Sequence, residues 1–141
     1  MNKKITRLSI LIPAYNEGKT ITIILDKVKN VELIDGIEKE LVIVNDCSSD
    51  NTVEVVSNYI AANPDLRITL YSQEVNKGKG AAIHKAIEIC TGDYLIVQDA
   101  DLEYDPREFN LMLQPVVEGF ADVVYGSRFV GHHPHRILFY W

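Results

Sequence analysis

Asp99 and Asp101 are separated by one residue, so in extended backbone their side chains project from one face while Ala100 points the other way. Two carboxylates side by side repel unless a cation joins them. Ligation by oxygen alone suits a hard ion, Mg²⁺ or Mn²⁺, and Mg²⁺ typically takes one or two protein carboxylates and completes its shell with substrate phosphates. Glu103, two residues further on, offers a third carboxylate, directly or through water. A solvated acidic turn has the same spacing, so the other polar groups must decide.

Asn76-Lys77-Gly78-Lys79-Gly80-Ala81-Ala82 joins flexible glycines and two cations, Lys77 and Lys79, to the start of a helix, where backbone N–H groups favour an anion. It is neither a Walker A loop, whose spacing to GK[ST] is missing, nor a GxGxxG fingerprint, because Ile83 fills the last position. Asp46 can accept hydrogen bonds from a base or ribose, Tyr15 can stack on a base, and Glu17 can accept from either. Ser48, Asp50 and Thr52 serve equally well as helix caps. Arg128, in Gly126-Ser127-Arg128, has the planar fork that grips phosphate bidentately. His132, His133 and His135 share one Gly/Pro-containing loop with no companion cluster, and a solvated loop is the simpler reading.

These residues need a frame. Apolar, β-branched runs at residues 8–12, 41–44, 68–71, 94–97 and 123–125 read as strands. Between them Ile21, Ile24, Leu25 and Val28, then Ile83, Ala86, Ile87 and Cys90, then Phe109, Met112, Leu113 and Val116 recur with helical spacing, and Val53, Val56 and Ile60 do so more sparsely. Asn51 with Glu54 predicts a capping box, Asp105-Pro106 an N-cap followed by N1, and Gly92 and Gly119 helix ends. Strands alternating with helices give right-handed βαβ units and a mostly parallel sheet with helices on both faces, hence an α/β class. Ligands of such sheets bind at the carboxyl ends of the strands, where the tails of strands one, two and four carry the polar residues named above.

The 141 residues read as a single domain, with 47% hydrophobic and 24% charged residues. A net charge of -6, from 14 basic and 20 acidic side chains, excludes nucleic acid as the main partner, because a polyphosphate backbone needs a clustered basic surface. A nucleotide bridged by a metal escapes that objection. Cys47 and Cys90 have no CxxC spacing and read as reduced thiols of a cytoplasmic protein. The apolar run after Lys3, Lys4 and Arg7 ends at Pro13, too early for a signal peptide or a membrane span.

The ordered set Ile12-Pro13-Ala14-Tyr15-Asn16-Glu17, Asn45 through Thr52, Asn76 through Ala82, Gln98-Asp99-Ala100-Asp101 and Gly126-Ser127-Arg128-Phe129 resembles the family 2 glycosyltransferases with a Rossmann-like GT-A nucleotide-sugar domain. Asp101-Leu102-Glu103 and Gly126 to Phe129 are most similar to the dolichyl- or polyprenyl-phosphate sugar transferase branch. The resemblance implies that Pro13, Ala14, Tyr15, Glu17, Asp46, Lys79 and Ala100 hold a UDP- or GDP-sugar. Asp99 would reach the ribose or sugar and join the metal set, Asp101 would ligate Mg²⁺ or Mn²⁺ on the diphosphate, Glu103 would add a ligand, and Arg128 would face donor or acceptor phosphate. Asp99, Asp101 and Arg128 would thus carry transfer. Asn45 and Cys47 stand where the family frequently has Asp and Gly.

Inverting transfer follows, with a polyprenyl phosphate as one acceptor and a peripheral place on the cytoplasmic membrane face as its corollary. Family members continue into an acceptor-binding segment, so residues 1–141 are expected to be a fragment. Two rivals stand beside this. A phosphotransferase or hydrolase using Asp99 as nucleophile would want Ser or Thr soon after Asp101, where Leu102, Glu103 and Tyr104 follow. A non-catalytic nucleotide-sugar-binding module would keep the donor site without transfer. Oligomeric state is not written in these residues.

Overall fold

The computed structural model describes residues 4–126 and 136–140. β1 (Arg7–Ala14) leads to α1 (Ile21–Asn30), and a 3-10 turn at Ile34–Gly36 precedes β2 (Glu38–Asn45), α2 (Thr52–Ala62), β3 (Arg67–Ser72), α3 (Lys79–Ile89) and β4 (Tyr94–Val97). A second 3-10 turn at Pro106–Glu108 runs into α4 (Phe109–Val117), followed by β5 (Val123–Gly126) and β6 (Arg136–Tyr140). The strands lie in the order β3-β2-β1-β4-β6-β5. β1 pairs in parallel with β2 and β4, β2 with β3, and β6 runs antiparallel between β4 and β5.

The strands are apolar throughout because both faces are covered. Leu8, Ile10 and Ile12 of β1, Leu41 and Ile43 of β2, and Tyr94 and Ile96 of β4 pack in one core with α1 and α4. The alternate residues Leu11, Val42, Val44 and Leu95 pack in a second core with Ala82 and Ala86 of α3. Ile21, Ile24, Leu25 and Val28 of α1 are fully buried, each worth roughly 1.5–3 kcal/mol relative to exposure, which fixes the turn that enters α1.

Successive strands run outward from β1 through β2 to β3, and β4 then lies on the other side of β1. That reversal opens a crevice between the carboxyl ends of β1 and β4, the place where open α/β sheets bind ligands.

Four local expectations change. The antiparallel β6 was not expected, since residues 137–141 carry no turn or capping signal that sets them in a sheet; pairing with β4 and β5 supplies what local pattern does not. Asn51 makes no side-chain cap at α2; the Asp50 carboxylate instead accepts from the Thr52 N–H at 3.0 Å. Asp105 caps the 3-10 turn that leads into α4 by accepting from the Arg107 N–H, rather than capping α4 itself. Gly119 does end α4, at φ +80, but Gly92 follows the Cys90 cap of α3 and serves the sheet.

Gly92 sits at the end of the sheet opposite the crevice, where Ser9 and Glu40 are buried. Its N–H donates to Ser9 Oγ at 2.8 Å, and Ser9 Oγ donates to Glu40 Oε1 at 3.1 Å. Glu40 also accepts from the Thr91 N–H at 2.8 Å and from the Thr91 hydroxyl, so this carboxylate is satisfied while it anchors the entry to β4. Burial, followed by the charge of Glu40, pushes the Cys90 thiol up, which keeps it protonated and unreactive.

A Cβ at Gly92 would lie 2.4 Å from Ser9 Oγ, 2.8 Å from the Ser9 nitrogen and 3.0 Å from the Arg7 carbonyl oxygen. Gly92→Ala should therefore lower stability by about 1–3 kcal/mol, read as a lower urea midpoint at unchanged slope; an unaltered midpoint would refute the close-approach account.

Candidate functional site

β4 ends at Val97, and the chain stays tied to β1 for one more residue through the Gln98 N–H, which donates to the Leu11 carbonyl at 2.8 Å. The Gln98 side chain is completely buried. Its Nε2 donates to the carbonyls of Asp99, at 3.2 Å, and Tyr104, at 3.0 Å, bracing both ends of the acidic turn. Inside that turn Leu102 takes φ +70, and Asp101 Oδ1 accepts from the Glu103 N–H at 3.0 Å. The result gathers Asp99, Asp101 and Glu103 with one carboxylate oxygen each within 4.8 Å of the others. Oxygen donors of this type and closeness fit Mg²⁺ or Mn²⁺, with substrate oxygens and water filling the remaining positions.

The loops after β1 and β2 are stitched to each other. Asn16, at φ +53, accepts through Oδ1 from the N–H groups of Ser49 at 2.8 Å and Asp50 at 3.3 Å, while its own N–H donates to Ser48 Oγ at 2.9 Å. The Glu17 N–H donates to Thr52 Oγ1 at 3.0 Å, and the Gly18 N–H to Asp50 Oδ2 at 3.0 Å. Asp50 is held below the usual carboxylate range, foremost by the Thr52 hydroxyl. Ser48, Asp50 and Thr52 thus build the frame. Thr20, at the start of α1, joins that frame to the acidic turn: its Oγ1 lies 2.9 Å from Glu17 Oε2 and 2.8 Å from the Ala100 carbonyl.

Asp46 joins the glycine-rich loop to the same crevice. Its Oδ1 accepts from the Lys77 N–H and its Oδ2 from the Gly78 N–H, both at 2.8 Å. Gly78 takes φ +92, which glycine adopts without the Cβ penalty, and α3 begins immediately after it at Lys79. The Lys79 ammonium crosses to Asp99 Oδ1 at 2.6 Å. Burial alone would lower the pKa of this amine, but the hydrogen bond and charge of Asp99, aided by Asp101, hold it above the ordinary lysine value.

The cleft between these pieces has a volume of about 400 Å³, and its walls include Pro13, Ala14, Tyr15, Glu17, Asp46, Lys79, Asp99, Ala100 and Asp101. The residues singled out for the nucleotide and for two of the metal contacts therefore share one cavity, and Glu103 joins them through the carboxylate cluster. Tyr15 is half exposed, leaving its ring open to stacking. Asn76, Gly78 and Ala82 also line the cleft; they belong to the loop read as an anion site, although composition alone did not mark them individually. Asp46 has a structural role that sequence did not disclose, because its amide partners are 31 and 32 residues away. Its remaining lone pairs still admit ligand donors. Arg128, His132, His133 and His135 lie outside the described residues.

Removing the Asp46 carboxylate leaves two loop amides without their charged acceptor, a loss of about 1.5–3 kcal/mol per bond. Asp46→Ala should speed hydrogen exchange at Lys77 and Gly78 by at least about tenfold while the amides of β1 and β2 remain protected. Unchanged exchange at both amides would rule out the clamp.

The sequence profile described as glycosyl transferase family 2 matches residues 9–134. The dolichyl-phosphate beta-glucosyltransferase of Trichomonas vaginalis is 37% identical over 137 residues, covering 90% of this chain and 38% of that protein. Among solved structures, a mannosyltransferase from Pyrobaculum calidifontis in complex with GDP-Man and Mn²⁺ superposes with a TM-score of 0.66 at 29% identity, covering 75% of this chain and 30% of its own. TarS residues 1–349 from S. aureus in complex with UDP superposes with a TM-score of 0.72 at 26% identity, covering 84% and 34% respectively. The chain spans less than two fifths of the length of the curated relatives it matches. Its Rossmann-like sheet has the GT-A architecture of those solved neighbours. Profile and fold agree that the chain belongs to glycosyl transferase family 2.

Proposed function

We propose that the chain binds a UDP- or GDP-sugar together with Mg²⁺ or Mn²⁺ and forms the donor half of an inverting glycosyltransferase whose acceptor is a polyprenyl phosphate. The observation that carries this reading is the placement of Asp99 and Asp101 in the same cleft as Tyr15, Glu17 and Asp46. One side of the cleft offers an aromatic ring and carboxylate acceptors suited to a nucleoside; the other offers hard oxygen ligands suited to a metal diphosphate.

In this reading Pro13, Ala14, Tyr15, Glu17 and Asp46 hold the nucleoside, and Ala100 keeps the wall between base and metal free of bulk. Asp99 reaches ribose or sugar, while Asp101 with Asp99 and Glu103 would hold the divalent ion. That ion, when bound, supplies positive charge against the departing diphosphate. An acceptor oxygen forms a bond to the anomeric carbon from the face opposite the nucleotide, as the bond from that carbon to the diphosphate breaks and its electron pair goes to the diphosphate oxygen. A phosphate acceptor is already anionic near neutral pH, so the scheme needs no general base. Arg128 is proposed for the donor or acceptor phosphate.

The named acceptor of the Trichomonas relative, a dolichyl phosphate, supports a lipid-phosphate acceptor and with it a peripheral place on the cytoplasmic membrane face. No helix among the described residues is long and apolar enough to cross a membrane. Donor binding without transfer is the second reading, and turnover of a nucleotide sugar onto an added polyprenyl phosphate separates the two.

Calorimetric titration with UDP and GDP should show binding that strengthens at least about tenfold when Mn²⁺ is present, in line with an added ionic contact of about 1.4 kcal/mol or more. Asp101→Ala should abolish that increment. Equal, metal-independent affinity in the wild type and in Asp101→Ala would sink the assignment. The same nucleotides linked to different sugars, compared by thermal shift, would identify the donor, since a ligand bound only to the folded state raises stability by mass action.

A further inference from the structure

Lys79 sits at an unusual junction. Its backbone is pinned, because the amides immediately before it are bonded to Asp46 and α3 begins at its own position. Its side chain is not pinned: it is 59% exposed, against 13% for the Asp99 side chain it meets. Asp99 leaves a buried strand through a turn braced by Gln98, so of the two partners only the lysine has four free methylenes with which to move. The ammonium touches Asp99 at 2.6 Å, and Asp99 belongs to the three-carboxylate cluster. A unit positive charge there does two opposite things. It relieves carboxylate repulsion when no metal is bound, and it repels a dication that approaches the same oxygens.

We infer that Lys79 is a resident counter-cation of the acidic turn, which leaves Asp99 for the donor's diphosphate when a divalent ion takes the carboxylates. The inference rests on the metal and nucleotide reading proposed above. The exchange conserves charge pairing at each stage. Before ligand arrives, lysine pairs with carboxylate; afterwards the dication would pair with the carboxylates and the ammonium with the donor's phosphate oxygens. The glycine-rich loop thereby acts on metal affinity as well as on the nucleotide. It also discourages capture of a bare metal ion, because an ion arriving without diphosphate displaces lysine from Asp99 and gives it no new partner.

The signature is a change of sign that a purely structural lysine would not produce. Mn²⁺ binding, followed by loss of the free-ion paramagnetic resonance signal, is measured for wild type, Lys79→Met, Lys79→Gln, Lys79→Arg and Asp101→Ala, each alone and with UDP or GDP. Without nucleotide, both neutral variants should bind Mn²⁺ about tenfold tighter than wild type, because no resident cation then competes with the ion for Asp99. At saturating Mn²⁺ the same variants should bind the nucleoside diphosphate about tenfold more weakly, and Lys79→Arg should stay near wild type in both measurements. Far-UV circular dichroism and thermal melting report whether each variant keeps the fold, and two neutral side chains of different polarity guard against one misfolded protein.

If the neutral variants bind Mn²⁺ no tighter than wild type while Asp101→Ala loses it, the counter-cation role is overturned and the metal site stands. If no variant binds Mn²⁺ with or without nucleotide, both readings fall.

Discussion

Carboxylate repulsion at the end of β4 is the constraint around which the candidate site is organised. Asp99, Asp101 and Glu103 bring oxygens within 4.8 Å of one another, a spacing at which like charges oppose folding unless water or cations screen them. Burial makes the problem sharper at Asp99, the least exposed of the three. Lys79 answers it there by ion pairing, and Gln98 holds the turn in shape by bonding the backbone carbonyls of Asp99 and Tyr104. Backbone bracing matters because it fixes the carboxylates without consuming their oxygens.

The same division of labour recurs around the cleft. Asn16, Cys47 and Leu102 each take positive φ, a region that costs non-glycine residues energy and is retained where surrounding contacts enforce it. All three lie just beyond the carboxyl ends of β1, β2 and β4. Asn16 is repaid by bonds to the Ser49 and Asp50 amides. Cys47 stands where the resembling family frequently has Gly, and its φ of +59 gives a physical reason for that preference. Side chains that shape the loops, such as Asn16, Ser48 and Thr20, are largely distinct from those on the cavity wall, such as Tyr15 and Lys79. Asp46 and Asp101 do both: the Asp46 carboxylate fixes the glycine-rich loop, Asp101 Oδ1 accepts from the Glu103 N–H, and both residues line the cavity.

Sequence disclosed the parts of this arrangement that repeat. Two-faced apolar strands betray a covered parallel sheet, and helical spacing of Ile21, Ile24, Leu25 and Val28 predicts the face that is buried. Once those elements are placed, the strand-end rule brings Pro13, Glu17, Asp46 and Asp99 together without any further information. Pairings that link distant segments were not legible. Nothing near Asp46 announces the Lys77 and Gly78 amides, and Gly92 looks like a helix terminator until Ser9 is seen against it. The antiparallel β6 is likewise decided by hydrogen bonds to β4 and β5 rather than by its own pattern. The capping box failed for a more local reason, since Asp50 reaches the Thr52 amide that sequence had left to Asn51.

The two sides of the cleft are held differently by this topology. β1 and β4 are central strands, each hydrogen-bonded to a neighbour on both sides, so Pro13, Ala14 and Asp99 emerge from the least deformable part of the molecule. The glycine-rich loop leaves β3, an edge strand whose side chains are exposed or half-buried, and Asp46 anchors it to the crevice. The exposed Lys79 side chain is therefore the part of the cleft with most room to move, and the braced acidic turn the part with least. A site built in this way keeps the three carboxylates in fixed register while the opposing ammonium rides on a flexible, largely exposed side chain. Had the lysine risen from β1 and the carboxylates from the edge loop, the same residues would have paired just as well, but the carboxylates would have lost the bracing that a central strand and Gln98 give them.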